Sequence, residues 1–164
     1  MTELKRLSTG YLDVEDRIRL VGETGDGAAV VLWLTQRLLL RLVPALLESI
    51  ETQGADASYQ EILHGFAQQT ARAALKPEPP VQAKPDSPAW LVHSVDLAKT
   101  EKALRLTFKA ASGQQAFVML EPRPLRQWLG MVHETCCQAN WPLFVWPQWL
   151  QDSATQTAQP AVLH

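Results

Sequence analysis

The chain has little of what small disulfide-built or metal-built domains rely on. Only two cysteines occur in 164 residues, and they are adjacent, Cys136 and Cys137. The run His133-Glu134-Thr135-Cys136-Cys137 has no second cysteine pair and no strong zinc-site spacing, so structural cysteines are expected there and no metal is assigned. With 46% hydrophobic and 20% charged residues, the chain is one ordinary globular domain that needs neither disulfide nor metal to fold.

Excess positive charge is also missing. The formal net charge is -2, with 7 Lys+Arg against 10 Asp+Glu in residues 1–75 and 8 against 7 in the remainder. Neither half is a basic module, and no nucleic-acid partner is expected. The N-terminal run MTELKRLSTGYLDVED has no apolar h-region, which reads as a cytoplasmic chain. The greasiest stretch, Val30 to Leu47, is interrupted by Gln36, Arg37 and Arg41, each expensive at a bilayer centre, so no membrane span is read.

Catalytic signatures are absent as well: there is no G-x-S-x-G, H-E-x-x-H or Walker sequence, and His64 and His93 lack a partner at a recognisable spacing. The run Gly22-Glu23-Thr24-Gly25-Asp26-Gly27 resembles a phosphate loop only superficially. Its glycines lead into Ala28-Ala29-Val30-Val31-Leu32-Trp33-Leu34, a strand pattern, whereas a phosphate cradle needs a helix N-terminus there. A hairpin turn is the expectation.

What is present is self-similarity. At an offset of 86, residues 17–48 lie over 103–134 with seven identities in 32 positions: Arg19/Arg105, Leu20/Leu106, Gly27/Gly113, Leu34/Leu120, Arg37/Arg123, Leu39/Leu125 and Glu48/Glu134. Each copy reads as an alternating strand, a turn at a glycine, an apolar strand and a helix, and GYLDV and HSVDL upstream suggest a further strand in each. The fold class is therefore α+β: two βββα repeats with pseudo-twofold symmetry, forming a six-stranded, mostly antiparallel sheet. One unduplicated amphipathic helix lies between them. Residues 1–75 hold the first repeat and the extra helix, 76–88 a Pro-rich extended linker, 89–150 the second repeat with a Trp-rich segment, and 151–164 a polar tail. All belong to one structural domain.

Caps and spacing define the helices. Thr35 caps the first, which carries Leu39, Leu42, Val43, Leu46 and Ile50 inward, with a kink expected at Pro44. Pro122 and Pro124 occupy the first turn of the second repeat's helix, whose inward face is Leu125, Trp128, Leu129, Val132 and Cys136. In the helix between the repeats, Ser58 and Glu61 form a capping box, and Tyr59, Ile62, Leu63, Phe66, Thr70 and Ala74 share one face. Asp13 and Asp96, at matching positions, read as cross-strand charge partners or solvated edges.

Two features carry the functional reading. Val31 and Trp33, and likewise Phe117 and Met119, are apolar on the face opposite Val30, Leu32, Leu34, Val118 and Leu120, so the far side of the sheet needs a cover. That cover is the extra helix, the C-terminal segment, a second subunit or a partner. In addition, Trp141, Phe144, Trp146 and Trp149 fall within nine residues, as a strand and turn closing the apolar face or as a docking element. The candidate partner contacts are thus Trp33, Phe117, Met119, Trp141, Phe144, Trp146 and Trp149; no catalytic, cofactor or metal residue is assigned. The resulting expectation is a non-enzymatic protein-protein interaction or assembly module, homodimeric or part of a larger assembly. The alternative is a small-molecule-binding or thiol-dependent enzyme with a pocket between the repeats, lined by Trp33, Phe117 and Met119.

Overall fold

The computed structural model describes residues 1–50 and 57–158, with residues 57, 58 and 155–158 as backbone elements. The fold is α+β, with seven strands and four helices in the order β1 (Thr2–Leu12), β2 (Arg17–Thr24), β3 (Ala29–Leu34), α1 (Gln36–Ile50), α2 (Ala57–Ala73), β4 (Ala89–Leu91), β5 (Ser94–Lys99), β6 (Leu104–Lys109), β7 (Gln115–Leu120), α3 (Pro122–Gln138) and α4 (Gln148–Ala158).

All strands join one mixed sheet in the order β4-β3-β2-β1-β7-β6-β5. Sequential neighbours β1–β2, β2–β3, β5–β6 and β6–β7 are antiparallel, while β1 runs parallel to β7 and β3 parallel to β4. The expected six strands are seven; the sheet is mostly antiparallel as expected, four of its six pairings being so, but the two parallel pairs make it mixed. The three residues of β4 are too short to show a pattern, and parallel pairs join segments far apart in sequence. Two consecutive residues explain why the sheet curls. The Val92 amide bonds the Trp33 carbonyl of β3 and the His93 amide bonds the Lys109 carbonyl of β6 (2.9 and 2.7 Å), the strands next to the two opposite edges.

Local chemistry accounts for the elements. The β2–β3 turn closes with Gly27 N–H to Thr24 C=O and Thr24 N–H to Ala28 C=O; the β6–β7 turn closes with Gly113 N–H to Ala110 C=O and Ala110 N–H to Gln114 C=O. Gly27 (φ 86°) and Gly113 (φ 98°) take the left-handed conformation that side chains resist, which is why each turn retains a glycine. The Leu38 amide bonds Thr35 Oγ1 (3.2 Å), capping α1, which continues through Pro44. Glu121 enters α3 in extended conformation, and Pro122 and Pro124 lie where their missing amides cost nothing. At the other end Asn140 is left-handed (φ 55°), and the amides of Asn140 and Trp141 return to the carbonyls of Cys137 and Cys136.

The main core lies between the sheet and helices α1 and α3. Ile18, Leu20, Leu32, Leu34, Leu106 and Phe108 are sealed from solvent and pack with Leu46 of α1 and Leu129 of α3. A smaller cluster occupies the other sheet face, where Val21, Ala29 and Val31 meet Val81, with Trp33 and Ala83 against them. The Pro-rich segment therefore covers the β2–β3 part of the far face instead of acting only as a spacer. Its Val81 amide bonds Ser8 Oγ (2.7 Å), and Arg6 donates to the Pro79 carbonyl.

The second half also ends in two helices. The helix expected between the two copies is α2, and a further helix, α4, follows α3. The Trp-rich segment, expected as a strand and turn, is a turn leading into α4, which extends through the first residues of the stretch read as a polar tail.

Candidate interaction surface

Helix α2 packs with its polar side inward. His64, Gln68 and Ala71 are buried against α3 and α4, while Tyr59, Ile62, Leu63 and Phe66 are 57%, 56%, 45% and 63% exposed. The face shared by Tyr59, Ile62, Leu63, Phe66 and Thr70 thus points outward, the reverse of an ordinary amphipathic helix; Thr70 is exposed and Ala74 half-buried. The capping box rests on the Ser58 side chain, which lies outside the described residues.

Directed polar contacts on the inner side explain the reversal. Gln68 Nε2 donates to the Arg126 carbonyl (2.8 Å), and Gln127 Nε2 donates to the Ala71 carbonyl (2.9 Å). The Arg126 guanidinium donates to His64 Nδ1 (2.8 Å), which must accept because a guanidinium has no acceptor. Trp149 completes the joint: its ring stacks on His64 (centroids 5.0 Å apart) and lies under Arg126 (5.7 Å). Burial holds the Arg126 guanidinium below its ordinary pKa. A buried hydrogen-bonded joint loses heavily if one partner is removed, so these contacts fix α2's rotation even though they leave apolar side chains in water.

The seven residues singled out from sequence do not form one surface. Trp141 and Trp146, 6% and 4% exposed, belong to this chain's own core and have no free surface to offer a partner. Trp141 donates to Asp16 Oδ1 (3.0 Å) and meets the Tyr11 ring edge-on; Trp146 meets His133 edge-on. Trp149 is half-buried in the α2 joint, and only Phe144 of this group is open, at 77%. Trp33 is half-buried under the Pro-rich segment. On the same sheet face but separated by β2 and β1, Phe117 lies beneath Arg105, and Met119 is partly open.

A cleft opens at the seam between the halves. Strands β1 and β7 pair only through Thr2–Leu4 and Ala116–Val118, then part, leaving about 760 Å³ lined by Ser8, Thr9, Pro79, Met119 and Trp128 among others. Trp128 Nε1 donates to Thr9 Oγ1 across it (3.2 Å). Met119 lines this cleft; Trp33 and Phe117 do not.

Neither cysteine is tuned for attack. Burial pushes the Cys136 thiol up to about 11, and burial followed by the Glu134 charge raises Cys137, whose sulfur lies 3.8 Å from His133 Nε2. Asp96 pairs with Lys109 on the neighbouring strand. Among the described residues, no helix is long and apolar enough to cross a membrane. Neither the known family models nor the curated proteins or solved structures include a match to this chain.

The sequence reading grouped the α2 face correctly but did not single it out as a partner contact. The available signal was the opposite face: His64, Gln68 and Arg72 can bond a neighbouring helix, whereas Tyr59, Ile62, Leu63 and Phe66 can only be covered.

Proposed function

We propose that this protein is a non-enzymatic protein-protein interaction or assembly module, that its two halves are βββα copies each followed by a further helix, and that α2 is its docking element. The outward apolar stripe Tyr59-Ile62-Leu63-Phe66 carries the reading. Four large side chains at helical spacing expose roughly 400 Å² between them, at the scale where a contiguous patch marks an interaction site. The copy relationship draws support from the two hairpins, whose closing hydrogen bonds at Thr24, Gly27 and Ala28 recur 86 residues later at Ala110, Gly113 and Gln114.

The test compares purified wild type with Phe66→Asp, as bait for proteins from the native host and by light scattering of the protein alone. Loss of a specifically bound chain or of self-association, with circular dichroism and melting unchanged, supports the module. A wild type that retrieves no chain and stays monomeric at high concentration refutes it.

The seam cleft favours a second reading, a small-molecule site between the halves. Its volume suits a compact ligand and its lining is mixed apolar and polar. Ligand-dependent thermal stabilisation abolished by Met119→Arg would support it. The raised thiol pKa values weigh against the thiol-dependent version.

A further inference from the structure

We propose that the occupant of the α2 face is α2 of a second copy of this chain, packed antiparallel across a twofold axis close to Phe66. This rests on α2 being the docking element and adds the identity and geometry of the partner.

Three properties of the face argue for self-pairing. The first is charge. The stripe Tyr59, Ile62, Leu63, Phe66, Thr70 and Ala73 contains no ionisable group other than the phenol, and Arg72 turns toward α3, where it approaches Gly130. Across a twofold axis the face meets a copy of itself, with residues at the axis opposite their own counterparts, so a face bearing charge of one sign would repel its copy. This one brings no like charges together.

The second is shape. Large side chains occupy the first part of the stripe and small ones, Thr70 and Ala73, the exposed continuation. In a parallel pair the bulky ends would collide and the small ends leave a gap. With the axis near Phe66, antiparallel pairing sets Tyr59 opposite the partner's Ala73 and Ile62 opposite the partner's Thr70, filling both ends evenly.

The third is area. Pairing two such faces removes about 800 Å² through the large side chains alone, and with their rims about 1,000 Å² or slightly more, the lower end of specific interfaces. A weak reversible dimer is the expected result. A bilayer fits less well, because interfacial helices flank their apolar face with Lys and Arg. Over Ala57–Ala73, α2 has one basic residue, Arg72.

Sedimentation velocity of the full chain from about 1 μM to 1 mM tests the proposal, with dissociation expected in the micromolar range. Phe66→Asp, at the axis, should weaken the dimer at least about thirtyfold. Thr70→Lys should weaken it about tenfold by meeting the partner's Ile62. Phe144→Ser, off the stripe, should leave it unchanged. In a Cys137→Ser background, Phe66→Cys should oxidise to a covalent dimer. Phe66→Ser serves as a second axis variant if the Asp form loses its native circular dichroism. A wild type that remains monomeric at 1 mM overturns the second copy, as does a dimer indifferent to both Phe66 variants. So does a monomer that floats with phosphatidylcholine–phosphatidylglycerol vesicles through this face. If a different chain is captured in a Phe66-dependent way while the protein alone is monomeric, the second copy fails and the module survives.

Discussion

Helices α2 and α3 are both 17 residues long and both carry an apolar stripe, yet they dispose of it in opposite ways. In α3, Leu125, Trp128, Leu129, Val132 and Cys136 face the sheet and are buried. In α2, Tyr59, Ile62, Leu63 and Phe66 face away from the rest of the described chain, and His64, Gln68 and Ala71 make the contact. The difference teaches that an apolar stripe identifies a face that gains by leaving water, but not the body that covers it. The hydrophobic term is non-directional; polar contacts have geometry. Where Arg126 and Gln127 of α3 offered hydrogen-bonding partners, those contacts set the rotation of α2.

The largest expected effect would break this contrast if it failed. Leu129→Ala removes a fully buried side chain and should cost about 2–5 kcal/mol in chemical denaturation. Ile62→Ala, measured at dilutions where the chain is monomeric, should stay within about 0.5 kcal/mol of wild type. Comparable losses at both positions would mean that the α2 face is core. A smaller effect shows where the two halves stop behaving alike. Gly27→Ala and Gly113→Ala would meet no atom within 4 Å, so their cost is that of the left-handed backbone, about 1–2 kcal/mol each. Equal losses would mean that the two hairpins are equivalent in this respect; a loss at only one would mean that they are not.

The smallest effect is a slope with pH. His133 is buried on α3, and burial pushes its pKa down, with Arg72 of α2 adding to the shift and Glu134 opposing it. The unfolded chain therefore takes up a proton near pH 6.5 that the folded chain resists, so stability is full above that pH and declines as pH falls below it. Denaturation midpoints between pH 7.5 and 5 should show the decline, and His133→Phe should flatten it. Arg72→Gln should make it shallower by removing one of the two lowering influences. An unchanged slope in both variants would remove His133 from the account.

Features that depend on a few neighbouring residues were legible in advance. The hairpins at Gly27 and Gly113, the cap at Thr35, the prolines opening α3 and its inward face all follow from local backbone and periodicity rules. Other features escaped for physical reasons. β4 has three residues and no period of its own; it exists because the chain passes alongside β3 on its way to β5. The Pro-rich stretch looked like a spacer because it has few apolar residues, yet Val81, with Ala83 beside it, is enough to close the second cluster. The tryptophan run suggested a sticky surface, but proximity in sequence did not make a patch. The turn after Asn140 sends Trp141 toward β1 and β2, and α4 carries Trp149 to α2.

By itself the amino-acid sequence determined an α+β chain with two glycine hairpins, a helix opened by Pro122 and Pro124 that turns Leu125, Trp128, Leu129, Val132 and Cys136 inward, and apolar side chains in excess of what one sheet face can bury. Only the tertiary structure decided that the sheet is mixed and curls until the consecutive residues 92 and 93 bond to β3 and β6, near its opposite ends, and that α2 shows its apolar side outward. The physical reason is range. Turns, caps and periodicity act within a few residues, whereas the rotation of α2 depends on Arg126 and Trp149, about sixty and eighty-five positions downstream, which no local pattern in α2 can record.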